Sequence, residues 1–167
     1  MIRSANNVDT QAIADIYNYF VLNSVVTFEE EPVSNDEMAQ RIREVQKSYV
    51  WLVYELNGRV VGYAYAGKWK ARSAYRHTVE SSIYLDPSYT GKGIGKQLYE
   101  ALIEALLTLD VHAVIGGAAL PNEASVRLHE SLGFKKIGQF EEVGLKFGKW
   151  VDVVYWELML NKTSQSS

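Results

Sequence analysis

The sequence predicts a single domain of the α/β (α+β) class, built around a mixed β-sheet. Two runs rich in β-branched and aromatic residues flank Asn57-Gly58, a pair that favours the type I′ turn of a β-hairpin. After this hairpin, strand-like and helix-like segments alternate, and residues 135–160 have the composition of two further strands. A length of 167 residues suits one domain. We expect it to span residues 1–160, followed by a disordered tail over residues 161–167.

The segment before the hairpin predicts one short strand and two helices. "MIRSA" is the candidate strand, and "DTQAIADIYNYFV" predicts a helix capped by Asp9 or Thr10. "SNDEMAQRIREV" predicts a second helix, because Ser34 and Glu37 have capping-box spacing before a periodic apolar run. Between the helices, the mixed polarity of "VVTFEEEPV" and its Pro32 predict a loop.

The segment after the hairpin predicts two strand–helix units before the final strands. "TVESSIYL" and "HAVIGGAAL" have the composition of strands, and the second contains a Gly-Gly pair. "PNEASVRLHESLGF" predicts a helix that Asn122 caps and that ends before Gly133. The other helix follows a glycine-rich segment and has an apolar face made of Ile94, Leu98, Leu102 and Leu106.

Composition and charge argue against several classes of function. The formal net charge of -3 and the pI of about 5.6 argue against non-specific nucleic-acid binding. There is no cysteine, which excludes disulfides, thiolate metal ligands and cysteine nucleophiles. His77, His112 and His129 lack the spacing of metal ligands, so we expect no metal. We find neither a signal-like start nor a membrane-spanning run, and expect a cytoplasmic protein.

The segment "YTGKGIGKQLYEALI", residues 89–103, is the strongest local candidate for a phosphate site. Glycines and lysines at the start of a helix can hold a phosphate through free N–H groups and the helix dipole. The spacing does not fit a P-loop, because Gln97 follows Lys96. It does not fit the dinucleotide fingerprint either, because Leu98 occupies the third glycine position. On these residues alone, a flexible turn with solvated lysines is an equally good interpretation.

The same segment resembles the acetyl-CoA motif of the GNAT N-acetyltransferases, in which a strand is followed by Gln/Arg-x-x-Gly-x-Gly/Ala and a helix. Gly93, Ile94 and Gly95 match the end of the motif, and Thr90 stands where the family usually has Gln or Arg. Four other segments resemble the phosphinothricin and methionine sulfoximine acetyltransferases within that superfamily: "TFEEEP", "AYAGKWKARSAYRHTVES", "LPNEASVRLHESLGF" and "GLKFGKWVDVVYWEL". They follow the family's order and span nearly the whole chain.

This resemblance implies a fold, a reaction and an assembly. The GNAT fold is a mixed, mostly antiparallel sheet of about six to seven strands flanked by about four helices. The implied reaction moves the acetyl group of acetyl-CoA to the amine of a small amino-acid-like acceptor, by direct attack in a ternary complex. The acceptors of the family are phosphinothricin, methionine sulfoximine or sulfone, and related L-amino acids. A homodimer and a part in herbicide resistance are implied as well.

Two catalytic residues are implied by the resemblance. Glu80 matches the family's general base, and a positioned carboxylate speeds removal of a proton from an ammonium group by about 10²–10⁴-fold. Without the resemblance, a solvent-exposed position on the strand is the simpler interpretation of Glu80. His129 stands where many GNAT enzymes have a tyrosine that is proposed to protonate the departing CoA thiolate. It could donate that proton or relay one with Glu80, whereas a single helix histidine is more often structural.

The other implied site residues would hold the two substrates. For acetyl-CoA they are Ile83, Tyr84, Leu85, Gly91, Lys92, Gly93, Ile94, Gly95, Lys96, Asn122 and Ser125. For the acceptor they are Phe28, Lys70, Arg72, Tyr75 and Glu80, where the arginine would pair with a carboxylate. Plain sheet pairing, helix capping and a solvated basic loop are the structural alternatives for these groups.

Three other functions stay open at the level of the sequence. The first is acetylation of another amine, such as a polyamine, an antibiotic or a protein N-terminus, which a panel of acceptors would reveal. The second is a non-catalytic acyl-CoA-binding module, in which Glu80 would be dispensable. The third is an unrelated phosphate-binding protein, which thermal-shift titration with CoA against ATP and NAD would identify.

Overall fold

A computed structural model describes residues 1–160 as a seven-stranded mixed sheet with four α-helices. The tail expected over residues 161–167 lies outside the described residues. The strands are β1 (Ile2–Ser4), β2 (Trp51–Leu56), β3 (Arg59–Lys68), β4 (Thr78–Leu85), β5 (Ala113–Ala119), β6 (Lys135–Lys146) and β7 (Lys149–Met159). The helices are α1 (Thr10–Asn23), α2 (Asn35–Gln46), α3 (Ile94–Leu107) and α4 (Glu123–Ser131).

The order of strands across the sheet is β1-β2-β3-β4-β5-β7-β6. Every neighbouring pair is antiparallel except β4 and β5, which are parallel and are connected through α3. The last hairpin folds back so that β7 pairs with β5 and β6 forms the edge. The predicted fold class, a mixed and mostly antiparallel sheet flanked by helices, is therefore confirmed.

Apolar cores lie on both faces of the sheet. One contains Leu98, Leu102 and Leu106 of α3, the face that the helical spacing predicted. The other contains residues of α1 and α2. Adjacent residues of β2, Trp51 and Leu52, belong to different cores, as expected when side chains alternate across a strand. This layering places α3 against the face opposite α1 and α2.

Local signals for turns and caps agree with the structure at most positions. Asn57 and Gly58 have φ of 52° and 77°, the positive values of the predicted type I′ turn. The Ser34 side chain caps α2 by accepting a hydrogen bond from the Glu37 N–H at 3.1 Å. Asp9 occupies the N-cap position of α1, as predicted, but its side chain makes no capping hydrogen bond, because its carboxylate accepts hydrogen bonds from the Arg3 guanidinium instead.

Candidate active site

A cavity of about 460 Å³ opens where β4 and β5 part. The two strands pair only from Thr78 to Glu80. Beyond this point β4 keeps its partner β3 as far as Leu85, while β5 continues along β7 alone. The first turns of α3 and α4 close the other sides. A crevice beyond the carboxyl ends of parallel strands, with helix N-termini around it, is a common place for ligands with phosphate groups.

The structure brings about half of the predicted site residues to this cavity. Those that line it are Phe28, Glu80, Ile83, Tyr84, Leu85, Gly95, Asn122, Ser125 and His129. Those outside its lining are Gly91, Lys92, Gly93, Ile94 and Lys96, around the start of α3, and Lys70, Arg72 and Tyr75, in the loop between β3 and β4.

Glu80 is the ionisable carboxyl of the cavity wall. It lies at the last paired position of β4 and β5 and is partly buried, so it does not occupy the fully solvated face that was the simpler alternative. Burial raises the pKa of its carboxyl, and the positive charge of Lys70 opposes part of that rise. Among the described residues, the Glu80 side chain has neither a hydrogen-bond donor nor an ion-pair partner within bonding distance. A carboxylate with a raised pKa can take up a proton near neutral pH.

His129 is a buried, neutral imidazole with both ring nitrogens engaged. Its Nδ1 lies 2.8 Å from the Ser125 carbonyl oxygen, which can only accept, so Nδ1 carries the proton. Its Nε2 then accepts a hydrogen bond from the Tyr99 hydroxyl at 3.0 Å. The ring also stacks on Trp156, with centroids 4.4 Å apart. Burial lowers the pKa of His129, which keeps the ring uncharged at neutral pH.

The hydrogen bonds of His129 continue through Tyr99 to β4. Because the Tyr99 proton points to His129, the Tyr99 oxygen accepts from the Ser81 hydroxyl. Gly116 of β5 makes this arrangement possible, since a Cβ there would lie 2.6 Å from His129 Nε2. This chain of hydrogen bonds from His129 through Tyr99 ends at Ser81, the residue that follows Glu80 in β4.

The start of α3 has the backbone of an anion site. Gly91 and Gly93 have φ of 75° and 79°, values that favour glycine, and Gly93 is the residue before the first helical turn. The lysines in this segment, Lys92 and Lys96, are exposed. Ile94 is different, because its side chain is 4% exposed and belongs to the core. Only the backbone of Ile94 is therefore available to a ligand.

The α4 side of the cavity is ordered by a cap. The Asn122 side chain accepts a hydrogen bond from the Ser125 N–H at 3.1 Å, as the sequence predicted. Both residues line the cavity, and Ser125 also supplies the carbonyl that fixes the His129 tautomer. The cap thus links the start of α4 to the orientation of the imidazole.

The basic loop after β3 stands apart from the cavity in this structure. Lys70, Arg72 and Tyr75 are exposed, and Trp69 of the same loop contacts the cavity wall. The Trp69 ring lies edge-on to Tyr155, a lining residue, with centroids 5.8 Å apart. The Lys70 charge is near enough to influence the pKa of Glu80.

Phe28 reaches the cavity from the loop between α1 and α2. It lines the wall and is 41% exposed. The next residue, Glu29, is held by the Tyr17 hydroxyl and by both terminal nitrogens of Arg41. Sequence reasoning singled out Phe28 but none of these supporting groups.

Several residues of the site went unrecognised in the sequence, among them Tyr99, Ser81 and Tyr155. Tyr99 directly follows Leu98 of the apolar helical face, so its position suggested only a core role. One signal was present: the adjacent glycines of β5, Gly116 and Gly117, leave room for the His129 and Tyr155 rings. A glycine pair inside a strand marks a place where something large approaches the backbone.

Comparison with known families identifies the class of protein to which the chain belongs. The family description for the acetyltransferase (GNAT) domain matches residues 2–155. Because this match covers most of the chain, the protein belongs to the GNAT acetyltransferase family, and it is an N-acetyltransferase.

Individual relatives show which acetyltransferases within the family this chain resembles. The chain is 40% identical over 156 residues to a phosphinothricin N-acetyltransferase of Streptomyces viridochromogenes, covering 93% of this chain and 85% of that one. It is 38% identical over 162 residues to the L-methionine sulfoximine/L-methionine sulfone acetyltransferase of Salmonella typhimurium, covering 96% and 95%. Among solved structures, that of yncA from Salmonella typhimurium with its cofactor acetyl-CoA superposes with a TM-score of 0.95 and 37% identity, covering 100% and 97%. The family predicted from the sequence is therefore confirmed.

Two structural features are absent from the described residues. Within residues 1–160, no helix combines the length and apolar character that crossing a membrane requires. In the same range, no group of three or more His, Asp or Glu side chains is placed to hold a metal ion.

Proposed function

We propose that this N-acetyltransferase transfers the acetyl group of acetyl-CoA to the amine of a small amino-acid-like acceptor, with Glu80 as the general base. One observation carries the proposal: Glu80 lies where β4 and β5 part, lines the cavity and has a pKa raised by burial. The acceptor class rests on relatives that are named for phosphinothricin and for methionine sulfoximine and sulfone.

The parting of the strands supports a site for acetyl-CoA, which supplies the thioester carbonyl for the reaction. On the side of the gap, β4 has no strand partner over residues 81–85, so backbone groups of Ile83, Tyr84 and Leu85 are available to the pantetheine arm. The pyrophosphate would lie at the start of α3, against the N–H groups around Gly91 and Gly93. Lys92 and Lys96 would add positive charge, and Asn122 and Ser125 would bound the site from α4.

Glu80 would prepare the acceptor for attack. An amine is an ammonium ion at neutral pH and has no free electron pair. The Glu80 carboxylate takes one proton, and the freed amine attacks the acetyl carbonyl, which a strand N–H polarises as an oxyanion donor. The C–N bond forms, the C–S bond breaks, and the second proton of the attacking nitrogen passes to the CoA thiolate or to solvent. No enzyme nucleophile is required.

His129 fits a proton relay better than a charged acid. Its pKa is lowered and its only proton is held by the Ser125 carbonyl, so the resting ring has no proton to give at Nε2. The Nε2 atom can accept a proton through Tyr99, which links it to Ser81 beside the general base. A thiolate is a good leaving group and tolerates departure without protonation, so we propose a secondary role for His129.

The acceptor would be held by Phe28 and by the basic loop after β3. We propose that Arg72 pairs with the acceptor carboxylate and that Lys70 and Tyr75 assist it. Because these side chains lie outside the cavity lining, the loop must approach the cavity when the acceptor binds. The proximity of Lys70 to Glu80 supports this arrangement.

We further propose a cytoplasmic homodimer formed through the β6–β7 hairpin. Large apolar side chains are exposed along it: Ile137, Phe140, Val143, Leu145, Phe147 and Trp150. Exposed apolar patches of this kind mark interaction surfaces. Light scattering after gel filtration tests the dimer. Growth of cells that express the protein, with phosphinothricin present, tests the proposed part in herbicide resistance.

An acetyl-CoA-dependent thiol-release assay tests the reaction directly. The panel contains phosphinothricin, methionine sulfoximine, methionine sulfone, common L-amino acids, a polyamine and a short peptide with a free N-terminus. Turnover of the amino-acid-like acceptors supports the proposal. Turnover of the polyamine or the peptide alone would contradict the acceptor class, and binding of acetyl-CoA without turnover of any amine would favour a non-catalytic binding module.

A further inference from the structure

Lys146 is a buried cation that the proposed reaction does not use. It lies near the end of β6, is 1% exposed, and donates hydrogen bonds to backbone carbonyls. Its Nζ lies 2.6 Å from the Ser24 oxygen, 2.7 Å from the Thr27 oxygen and 3.5 Å from the Phe20 oxygen. Phe20 and Ser24 belong to the end of α1, where unpaired carbonyls and the helix dipole favour a positive charge. Lys146 therefore fastens the start of the α1–α2 loop to the edge strand.

The same face of β6 also holds the Phe28 ring. Gly144 lies two residues before Lys146 and is buried, so both point to one side of the strand. A Cβ at Gly144 would lie 2.4 Å from each of two atoms of the Phe28 ring and would overlap them. Only glycine at this position lets the ring lie flat against the strand. The φ of Gly144 is not among the positive values, so its conformation does not itself require glycine.

The loop is fixed on the other side of Phe28 as well. Thr27 shares a 2.8 Å hydrogen bond with the Tyr17 hydroxyl, and Glu29 is paired with Arg41 at 2.6 Å. Phe28 thus lines the cavity between two neighbours whose side chains are anchored by hydrogen bonds. A ring held in this way is a rigid wall, which selects ligands by shape.

We propose that Gly144 and Lys146 of β6 are specificity-determining positions, because they fix the Phe28 ring as the wall against which the acceptor side chain packs. This inference rests on the proposed acetyl transfer to a small amino-acid-like acceptor. It makes β6 a positioning element of the acceptor site, although the strand lies at the sheet edge and is separated by β5 and β7 from β4, which carries Glu80. The acetyl-CoA side of the cavity, built from β4, α3 and α4, does not depend on it.

Gly144→Ala is the principal test, with acceptor KM, acetyl-CoA KM and kcat measured separately. We expect the acceptor KM to rise about tenfold, the scale of one methylene in a pocket, while the acetyl-CoA KM stays within about twofold. Gly138→Ala is the matched control on the same strand, because a Cβ there meets nothing within 4 Å. It should leave both values unchanged.

A double-substitution cycle separates positioning from general damage. Phe28→Leu alone should raise the acceptor KM, because it removes the wall. In the Phe28→Leu background, Gly144→Ala should add less than about twofold, because the ring that it displaces is gone. An equal effect of Gly144→Ala in both backgrounds would overturn the inference, since the glycine would then act through something other than Phe28.

Lys146→Met tests the anchor itself by hydrogen exchange. Amides of residues 24–29 should exchange faster, while those at the start of α3 stay protected. If this variant does not fold, the Gly144 cycle still decides. Failure of the inference differs from failure of the proposed function. In the first case the wild type acetylates amino-acid-like acceptors but Gly144→Ala has normal kinetics, and in the second the wild type acetylates none of them.

Discussion

Replacing Glu80 with glutamine removes the proposed base while preserving its size and its capacity for hydrogen bonds. General-base catalysis contributes about 10²–10⁴-fold, and the partial exposure of Glu80 places the expected loss near the lower end, about 10²-fold in kcat at neutral pH. Water can reach a partly exposed site and substitute in part for the carboxylate. Acetyl-CoA binding should persist, because the cofactor side of the cavity is built from other residues.

The dependence on pH gives a second, independent readout. In the wild type, kcat should rise with pH through the raised pKa of Glu80, because only the ionised carboxylate accepts a proton. Glu80→Gln should lack this rise of kcat with pH. Its loss of kcat relative to the wild type should shrink as pH approaches the pKa of the acceptor amine, since solvent then supplies the free amine. Steady-state thiol release across a pH series measures both curves. Glu104→Gln, an exposed site on α3, is the control for charge.

The stability of the folded protein should respond to Glu80→Gln in the direction opposite to kcat. Because the folded-state pKa of Glu80 lies above its unfolded value, folding disfavours the ionised form, and this contribution to stability falls as pH rises through the folded-state pKa. At neutral pH Glu80→Gln should therefore melt at or above the wild-type temperature. Near-normal turnover by this variant at neutral pH, with acetyl-CoA binding intact, would refute the assignment of Glu80 as the base.

Three further predictions concern the cofactor, the acceptor and the relay. Gly93→Val should abolish the rise in melting temperature on adding acetyl-CoA, whereas Gly58→Val, at a similar φ in the β2–β3 turn, should lower stability yet keep that rise; a retained rise in the first variant would place the phosphate elsewhere. Arg72→Ala should raise KM for an amino-acid acceptor far more than KM for acetyl-CoA, whereas Arg76→Ala in the same loop should not have this selective effect. Equal effects of Arg72→Ala on both KM values would favour the interpretation of this segment as a solvated loop. His129→Ala should lower kcat less than loss of the general base, and the two losses should not multiply if they share one proton path; a larger loss would make the imidazole the principal group.

Local sequence patterns predicted the elements well because short-range physics determines them. The Asn57-Gly58 turn, the apolar face of α3 and the Asn122 cap depend on residues within a few positions of one another. The approximate number of strands and the general-base position came from the family resemblance. What the patterns alone did not give was the order of the last two strands, which depends on how distant segments pair.

The residues that sequence reasoning missed are those whose roles arise from contacts between distant segments. Lys146 reaches carbonyls more than a hundred positions earlier in the chain, and nothing in "GLKFGKW" distinguishes it from Lys149 next to the same turn. Tyr99 meets His129 thirty positions later, and only the glycines of β5 leave space for that meeting. Arg72 shows the converse, because the family resemblance placed it in the site and the structure leaves it outside the cavity lining.

What separates Glu80 from the carboxyls of Asp9 and Glu29 is that, among the described residues, no hydrogen-bond donor or ion-pair partner compensates its charge. Asp9 and Glu29 are bonded to guanidinium groups, which lower the pKa of both carboxyls and keep them ionised. Lys146 is surrounded by three carbonyl oxygens. The charge of each of these groups is therefore already compensated by its partners. Among the carboxyl groups of the described residues, Glu80 alone combines partial burial with a raised pKa and a place in the cavity wall, which makes it the candidate to accept a proton from the acceptor amine. A group left unsatisfied by the fold is the one available for chemistry.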